Sequence, residues 1–504
     1  MHARCTVSRQ GRTTSSERPI GERAYHRPMT AELWQHDAWE LADRVRGGDV
    51  SAGDLLELSL ARIEQFDPRL NAVCFVDADQ ARADAERIDR RVATGDDPGV
   101  FAGIPMGVKE LAQVRGWPDT HGCLPYDGTV AEFDCAEVAR LREAGAVLVG
   151  LTTAPEHGVV SYTVSRLHGV TRNPWNLERT PGGSSGGSAA SVAAGMFPAC
   201  TGSDGGGSIR IPSSYSGLFG MKTTFGLLGV GPEPFNYSMT SVHGPMVRSV
   251  RDAARYMDAT AGPSLTDPTS LPKPAVPFED RVVSGEATEQ LRGKRAAWSS
   301  TLGYAGTDPE VEKIVHDAAM TLVDEAGLEL VDIPVEMPKP GVAWGLLSSL
   351  NTGAFHLDFE RDHLDELDEV HRAGVEMMMN LRPGGLYKAI RRRHELMLAS
   401  ARIFSDIDVL LTPTTPTTAF RAEGTLTGTG AGREVNLMGL SAAFTAPFNM
   451  TGQPAASIPA GLVDDMPVAL QVVAARHGDD LCLGAGALME RLRPWPKFAP
   501  LAFE

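Results

Sequence analysis

"DPEVEKIVHDAAMTLVDEAGLELVDIPV", residues 308–335, is the stretch that decides the fold. Asp308 stands where a helix needs its N-cap, Pro309 takes the first helical position, and Gly327 supplies the stop. Between them Val311, Ile314, Val315, Ala318, Leu322 and Ala326 recur at helical spacing and form one apolar stripe. "LELVDIPV" then reads as a strand. A helix, a glycine and an apolar strand in succession form the unit of an α/β protein.

The same grammar recurs on both sides. "EVARLREAGAVLVGLT", residues 137–152, is a second helix–glycine–strand unit. Ala38, Leu41, Ala42 and Val45 share a helix face, and Ser51 caps a helix carrying Leu55, Leu56, Leu58 and Ile63. "LNAVCFVD" (70–77) reads as a strand and "ADQARADAERIDRRVA" (78–93) as a surface helix, while "DVLLTP" (408–413) and "PVALQVVAA" (467–475) are further strands. Residues 262–280 are proline-rich and read as a loop; residues 341–403 lack strand signals and read as helical, lying over the sheet or beside a cleft. The expectation is an α/β fold with a largely buried sheet covered by helices.

The chain has 504 residues, of which 42% are hydrophobic, enough for a large core. No run of 18 apolar residues suggests a membrane span. A formal charge of −17 argues against direct binding to nucleic acid or an anionic membrane. Six scattered cysteines (Cys5, Cys74, Cys123, Cys135, Cys200, Cys482) form no C-x-x-C pair and read as free thiols of a reducing, cytoplasmic compartment. Residues 1–28, with six arginines and two glutamates, read as a disordered tail or as sequence upstream of a true start at Met29.

Two glycine–serine segments carry the functional signal. "SDGGGSIRIP" (203–212) sets Gly205, Gly206 and Gly207 before Ser208, tightly bracketed by apolar residues. Three glycines cost folding entropy. They suit a turn whose backbone amides approach a ligand, with a serine at its end. Upstream, "TPGGSSGGSAASVAAG" (180–195) brackets Ser184 and Ser185 with Gly182, Gly183, Gly186 and Gly187. It fits G-x-S-x-G, but "TRNPWNLERTP" before it is not the strand that a nucleophile elbow needs. It lacks the Walker lysine pattern. A linker would suit the composition, yet "SAASVAAG" reads as a close-packed helix of small residues.

A serine nucleophile needs a base. His157 and His168 sit in no pattern that ties them to Ser208. Lysine is the other choice, and the chain has only eight lysines against 39 arginines. Lys273 in "SLPK" matches S-x-x-K by chance; Lys294, Lys313, Lys339, Lys388 and Lys497 have charged, loop or helix-surface surroundings. Lys109 in "GIPMGVKELA" and Lys222 in "LFGMKTTFG" are both embedded in apolar or small residues, where burial lowers an ammonium pKa. Residues alone leave the two level.

Together "GIPMGVKE" (103–110), "TPGGSSGGSAASVAAG" and "GSDGGGSIRIPSSYSGLFGMKTTFG" (202–226) resemble, in order and spacing, the central blocks of the amidase signature family. The resemblance runs on through "GVTRNPWNLERTPGG", "FNMTGQPAASIPAG" and "MPVALQVVAARHGDD". It implies one large α/β/α domain around a twisted mixed sheet, spanning residues 29–504, with a signature core at about 101–230 and a helical substrate side at about 341–403. It also implies a Ser–cis-Ser–Lys triad. Ser208 matches the nucleophile, Ser184 the serine after a cis peptide bond, and Lys109 the base. Ser185 and Gly183 would support, and the amides of Gly205, Gly206, Gly207 and Ser208 would surround an oxyanion. No metal or cofactor is called for. Departures are Glu110 where aspartate is common, Gly205 where a larger residue is usual, and Thr153 where asparagine is common.

The implied activity is hydrolysis of a carboxamide to carboxylate and ammonia or amine through an acyl-enzyme. Its partners would be a small-molecule amide and, at most, a second copy as a homodimer. One alternative is the glutamine-hydrolysing subunit of a tRNA-dependent amidotransferase, although "GVKEL" replaces the "GVKDN" typical of that branch. Another is a non-catalytic binding protein. Trp344, Leu347, Met377 and Met378 are candidates to line an acyl pocket, with helix core as the competing role.

Overall fold

In the computed structural model, residues 30–233, 237–424, 427–430, 433–436 and 440–504 are described. The expectations for residues 1–28, Cys5 among them, lie outside these. The helix that opens the argument runs over Pro309–Ala326. Asp308 accepts from the Glu310 amide at 3.1 Å, and Gly327 closes the helix at φ +66°. Val311, Val315, Ala318, Leu322 and Ala326 are buried, and Ile314 is half-buried. Ser51 likewise caps Ala52–Leu70, accepting from the Asp54 amide at 2.9 Å.

The strands assemble into one mixed sheet of eleven. In spatial order they are Val73–Val76, Val147–Thr152, Pro105–Lys109, Ala199–Asp204, Val242–Val247, Phe219–Lys222, Ala455–Val463, Met466–Ala474, Val409–Pro413, Arg295–Trp298 and Glu329–Leu330. Pro105–Lys109 runs parallel to both its neighbours, Val147–Thr152 and Ala199–Asp204. The middle of the sheet, from Ala199–Asp204 to Val409–Pro413, is antiparallel.

Alternation along the strands shows the layers. In Met466–Ala474, Val468, Leu470, Val472 and Ala474 join the core that holds Val311, Val315 and Leu322. Val473 joins a second core with Leu396, Ala399 and Ile403 of the helix Pro383–Asp406. Leu411 and Leu410 divide in the same way. Helices therefore cover both faces, as a strand buried on both sides requires. The α/β/α expectation holds.

The strand expected over "LELVDIPV" shrinks to Glu329–Leu330. It lies at the sheet edge against the four-residue strand Arg295–Trp298. The Val331 amide still donates to Ala296 O at 2.8 Å, and Pro334 has no amide to continue the ladder. Residues 341–403 hold helices and no strand, as expected: Gly341–Ser348, Leu350–Phe355, Leu357–Arg361, Glu369–Met379 and Pro383–Asp406. Among the described residues no helix is long and apolar enough to cross a membrane, and Cys74, Cys123, Cys135, Cys200 and Cys482 are free thiols.

Candidate active site

Lys109 ends the strand Pro105–Lys109, where its own amide donates to Thr201 Oγ1 at 2.8 Å across the sheet. Its side chain is 1% exposed. Nζ lies 2.7 Å from Ser184 Oγ and 3.0 Å from Ser203 Oγ. Burial pushes the ammonium down to about 7, against the opposing pull of Asp204 and Glu137. A large share of this amine is thus neutral near pH 7 and can accept a proton.

Ser184 follows a cis peptide bond from Gly183 and sits just before the buried small-residue helix Gly186–Ala193. Ser185 accepts from the Ser203 amide and donates to the Ser203 carbonyl, both at 3.3 Å, which ties the two glycine–serine segments together. The Ser185 amide also donates to Ser208 O at 3.3 Å. Ser184, Ser203 and Ser208 open on one cavity of about 430 Å³, together with Gly183, Gly205 and Gly206. The Ser208 hydroxyl has no hydrogen-bond partner among the described residues, so a direct Ser184–Ser208 bond is not formed in this resting geometry. Such bonds often tighten only with substrate bound.

Lys222 is resolved from Lys109 by geometry. It is as deeply buried, and burial followed by the nearby Arg210 charge lowers it to about 7 as well. Its Nζ, however, donates to the carbonyls of Thr223 (3.0 Å) and Gln453 (2.5 Å), and it does not line the cavity. It secures backbone. His168 is held by Glu110, Nε2 to Oε1 at 2.5 Å. His157 lines the cavity but bonds to neither serine.

The glycine trio serves three different needs. Gly207 adopts φ +131°, and a Cβ there would meet Thr445 Oγ1 at 2.3 Å. A Cβ on Gly206 would meet the Trp344 ring at 2.2 Å. One on Gly205 would meet only Ser241, at 3.7 Å, so the turn itself has room for a side chain there. The expected set of four free amides is corrected too. The Gly207 amide donates to Asp204 Oδ1 at 2.7 Å. Those of Gly205, Gly206 and Ser208 have no partner among the described residues.

Asp204 was not singled out by sequence, yet it shapes this turn. Its carboxylate also accepts from the Ile209 amide (3.3 Å) and takes a two-pronged bond from Arg210, Nε and Nη2 both at 2.9 Å. Arg210 goes on to Gln471 (2.7 Å) and Asn449 (2.6 Å). Burial alone would raise the Asp204 carboxyl, but Arg210, Lys222 and Asn449 outweigh it and hold it well below the usual range. Ser203 was missed as well. Only its position beside Asp204, at the head of "SDGGGS", hinted at it.

Of the pocket candidates, Trp344, Met377 and Met378 line the cavity. Trp344 Nε1 donates to Gly205 O at 2.9 Å. Leu347 takes the competing role of helix core: it is 2% exposed and packs behind the helix.

Comparison with known proteins places the chain in a family. The family profile described as Amidase matches residues 54–483. An acylamidase of Rhodococcus erythropolis is 32% identical over 92% of this chain and 96% of its own. A glutamyl-tRNA(Gln) amidotransferase subunit from Roseiflexus castenholzii is 33% identical over 92% and 97%. The crystal structure of a bacterial aryl acylamidase of the amidase signature family superposes with a TM-score of 0.85 at 29% identity, covering 93% of this chain and 98% of that one. The chain belongs to the amidase signature family.

Proposed function

We propose that this protein is a stand-alone amidase that hydrolyses neutral carboxamides bearing an apolar or aromatic group. The chemistry falls to the core at about 101–230, within a domain spanning 29–504, and residues 341–403 form the substrate side. The observation that carries the proposal is the 2.7 Å bond from buried Lys109 Nζ to Ser184 Oγ at the wall of the Ser208 cavity. Neutral Lys109 takes a proton from Ser184 as Ser184 takes one from Ser208, and Ser208 Oγ attacks the amide carbonyl. The amides of Gly205, Gly206 and Ser208 receive the oxyanion, each such donor being worth about 2.7–4 kcal/mol. As the C–N bond breaks, the proton returns along the relay to the leaving nitrogen. Water then repeats the sequence on the acyl-enzyme.

The cavity lining supports a neutral substrate. Among the described residues that line it there is no arginine or lysine. The imidazole of His243, which burial would lower but Glu137 raises to about 8, is already paired with Glu137 Oε2 at 2.8 Å, so the α-carboxylate of free glutamine would find no unpaired cation to receive it. Trp344, Met377, Met378, Phe355 and Leu357 offer apolar surface instead. The similarity to amidotransferase subunits keeps glutamine as the second reading. The test is ammonia or amine release from a panel of aliphatic, aryl and amino-acid amides, glutamine included, by wild type and Ser208→Ala. Turnover of apolar amides, lost by about 10⁴-fold or more in the variant, is the expected result. Turnover of glutamine alone would overturn the stand-alone reading, and undiminished activity in the folded variant would overturn Ser208 as nucleophile.

A further inference from the structure

Three side chains that line the cavity, His157, Glu360 and His371, form with the buried Cys123 a second cluster that the serine chemistry does not use. Cys123 lies just before a short 3-10 turn, Leu124–Tyr126, and His157 in another, Glu156–Gly158. Glu360 comes from the helix Leu357–Arg361 and His371 from the helix Glu369–Met379. One donor atom from each of the four lies within 4.8 Å of all the others. Cys123 and Glu360 are fully buried, and His371 is 3% exposed.

The Tyr126 hydroxyl donates to Glu360 Oε1 at 3.3 Å, but hydrogen bonding among the four side chains does not account for this convergence. His157 Nε2 stands 2.7 Å from Glu360 Oε1, and His371 Nε2 stands 3.1 Å from Glu360 Oε2. Yet His157 Nε2, His371 Nε2 and Glu360 Oε2 are all buried without a hydrogen-bond partner among the described residues. The atoms approach, but no N–H is aligned on an oxygen. Buried polar atoms left in this state are costly unless something satisfies them together. The imidazole rings of His157 and His371 stack with centroids 4.7 Å apart, and each presents its Nε2 to one oxygen of the Glu360 carboxylate. His157 holds its place through a left-handed backbone, φ +47° and ψ +14°.

We infer that Cys123, His157, Glu360 and His371 bind one zinc ion. One sulfur, two imidazole nitrogens and one carboxylate oxygen are the ligands that zinc prefers. With bonds of about 2.0–2.3 Å, a tetrahedral set has donors about 3–4 Å apart, within reach of the spacing here. Thiolate and carboxylate together carry the charge that neutralises a divalent cation, so the buried site closes with no net charge. The thiol proton leaves to solvent on binding. All four positions are filled by protein, which marks a structural site rather than one that activates water. Two ligands come from the core and two from the helices of residues 341–403. The ion would pin those helices, and with them Met377 and Met378, against the core at the cavity wall.

The test uses the full chain. Protein expressed with zinc and then desalted is measured for metal content. Metal-free protein is titrated with cobalt(II) and its absorption recorded, for wild type, Cys123→Ser and His371→Ala. The expected result is one zinc per chain, a thiolate-to-cobalt charge-transfer band that Cys123→Ser abolishes, and lower occupancy in His371→Ala. A chelator should also lower the melting temperature of wild type, and added zinc should restore it. Wild-type protein that carries no zinc and takes up neither metal on titration overturns the inference, whatever the variants do. So does a cobalt band that persists in Cys123→Ser.

Discussion

Lys109 and Lys222 share residue type, burial and direction of pKa shift, yet one faces a serine and the other faces carbonyls. The proposed base must be neutral to work. Because its pKa is lowered to about 7 from 10.5, kcat/KM should rise as pH climbs through about 7 and level off above it. A rising limb that stays near 10 in a pH–rate profile would remove Lys109 from that role. Lys222→Met should act differently. It leaves the Thr223 and Gln453 carbonyls unpaired, so a denaturant titration should show a loss of about 1–3 kcal/mol. The glycines separate in the same manner. Gly205→Ala should keep most of the activity, since its Cβ has room, whereas Gly207→Ala should lose about 10²-fold or more through the displaced amides. Equal rates for the two variants would show that the turn is not held as described.

At the scale of elements, the helix Gly341–Ser348 sets one wall of the cavity. Its helical nature is legible from the absence of strand signals, and so is the presence of apolar side chains along it. Which of them face substrate is not legible. Trp344 and Leu347 lie one turn apart, but Trp344 reaches Gly205 O while Leu347 packs into the core behind. Trp344→Ala should lower kcat/KM for aryl amides by about tenfold or more, the equivalent of roughly 1.4 kcal/mol. Small aliphatic amides should suffer less in the same steady-state assay. A uniform loss across both series would assign the indole to holding the turn instead of receiving the acyl group.

The whole molecule meets at Arg210. This one side chain, 0% exposed, links the strand Ala199–Asp204, its own helix Arg210–Ser216, the helix Ala446–Thr451 through Asn449 and the strand Met466–Ala474 through Gln471. Asp204→Asn weakens its partner and leaves a buried charge. The expected cost is about 3–5 kcal/mol, read as a shift in the denaturant midpoint, together with loss of turnover because the Gly205–Ser208 turn loses its anchor. A stability change below about 1 kcal/mol, the ordinary value of an exposed pair, would mean that solvent reaches the network.

By itself, the sequence determined the alternation of helices and strands, the caps at Ser51, Asp308 and Gly327, and the order of the lysine and glycine–serine segments. Those signals are local: a cap acts over three residues and an apolar stripe over four, so they survive in one dimension. Residue chemistry left Lys109 and Lys222 level and only the family resemblance favoured Lys109; tertiary structure set Lys109 against Ser184, turned Lys222 to backbone carbonyls, and decided that Ser203 shares Lys109. It also decided that Asp204 claims the Gly207 amide, and that Cys123, His157, Glu360 and His371 converge. Each of those depends on which strands are neighbours and in what register. Sheet order is set by the packing of two cores across hundreds of residues, and no short-range pattern records it.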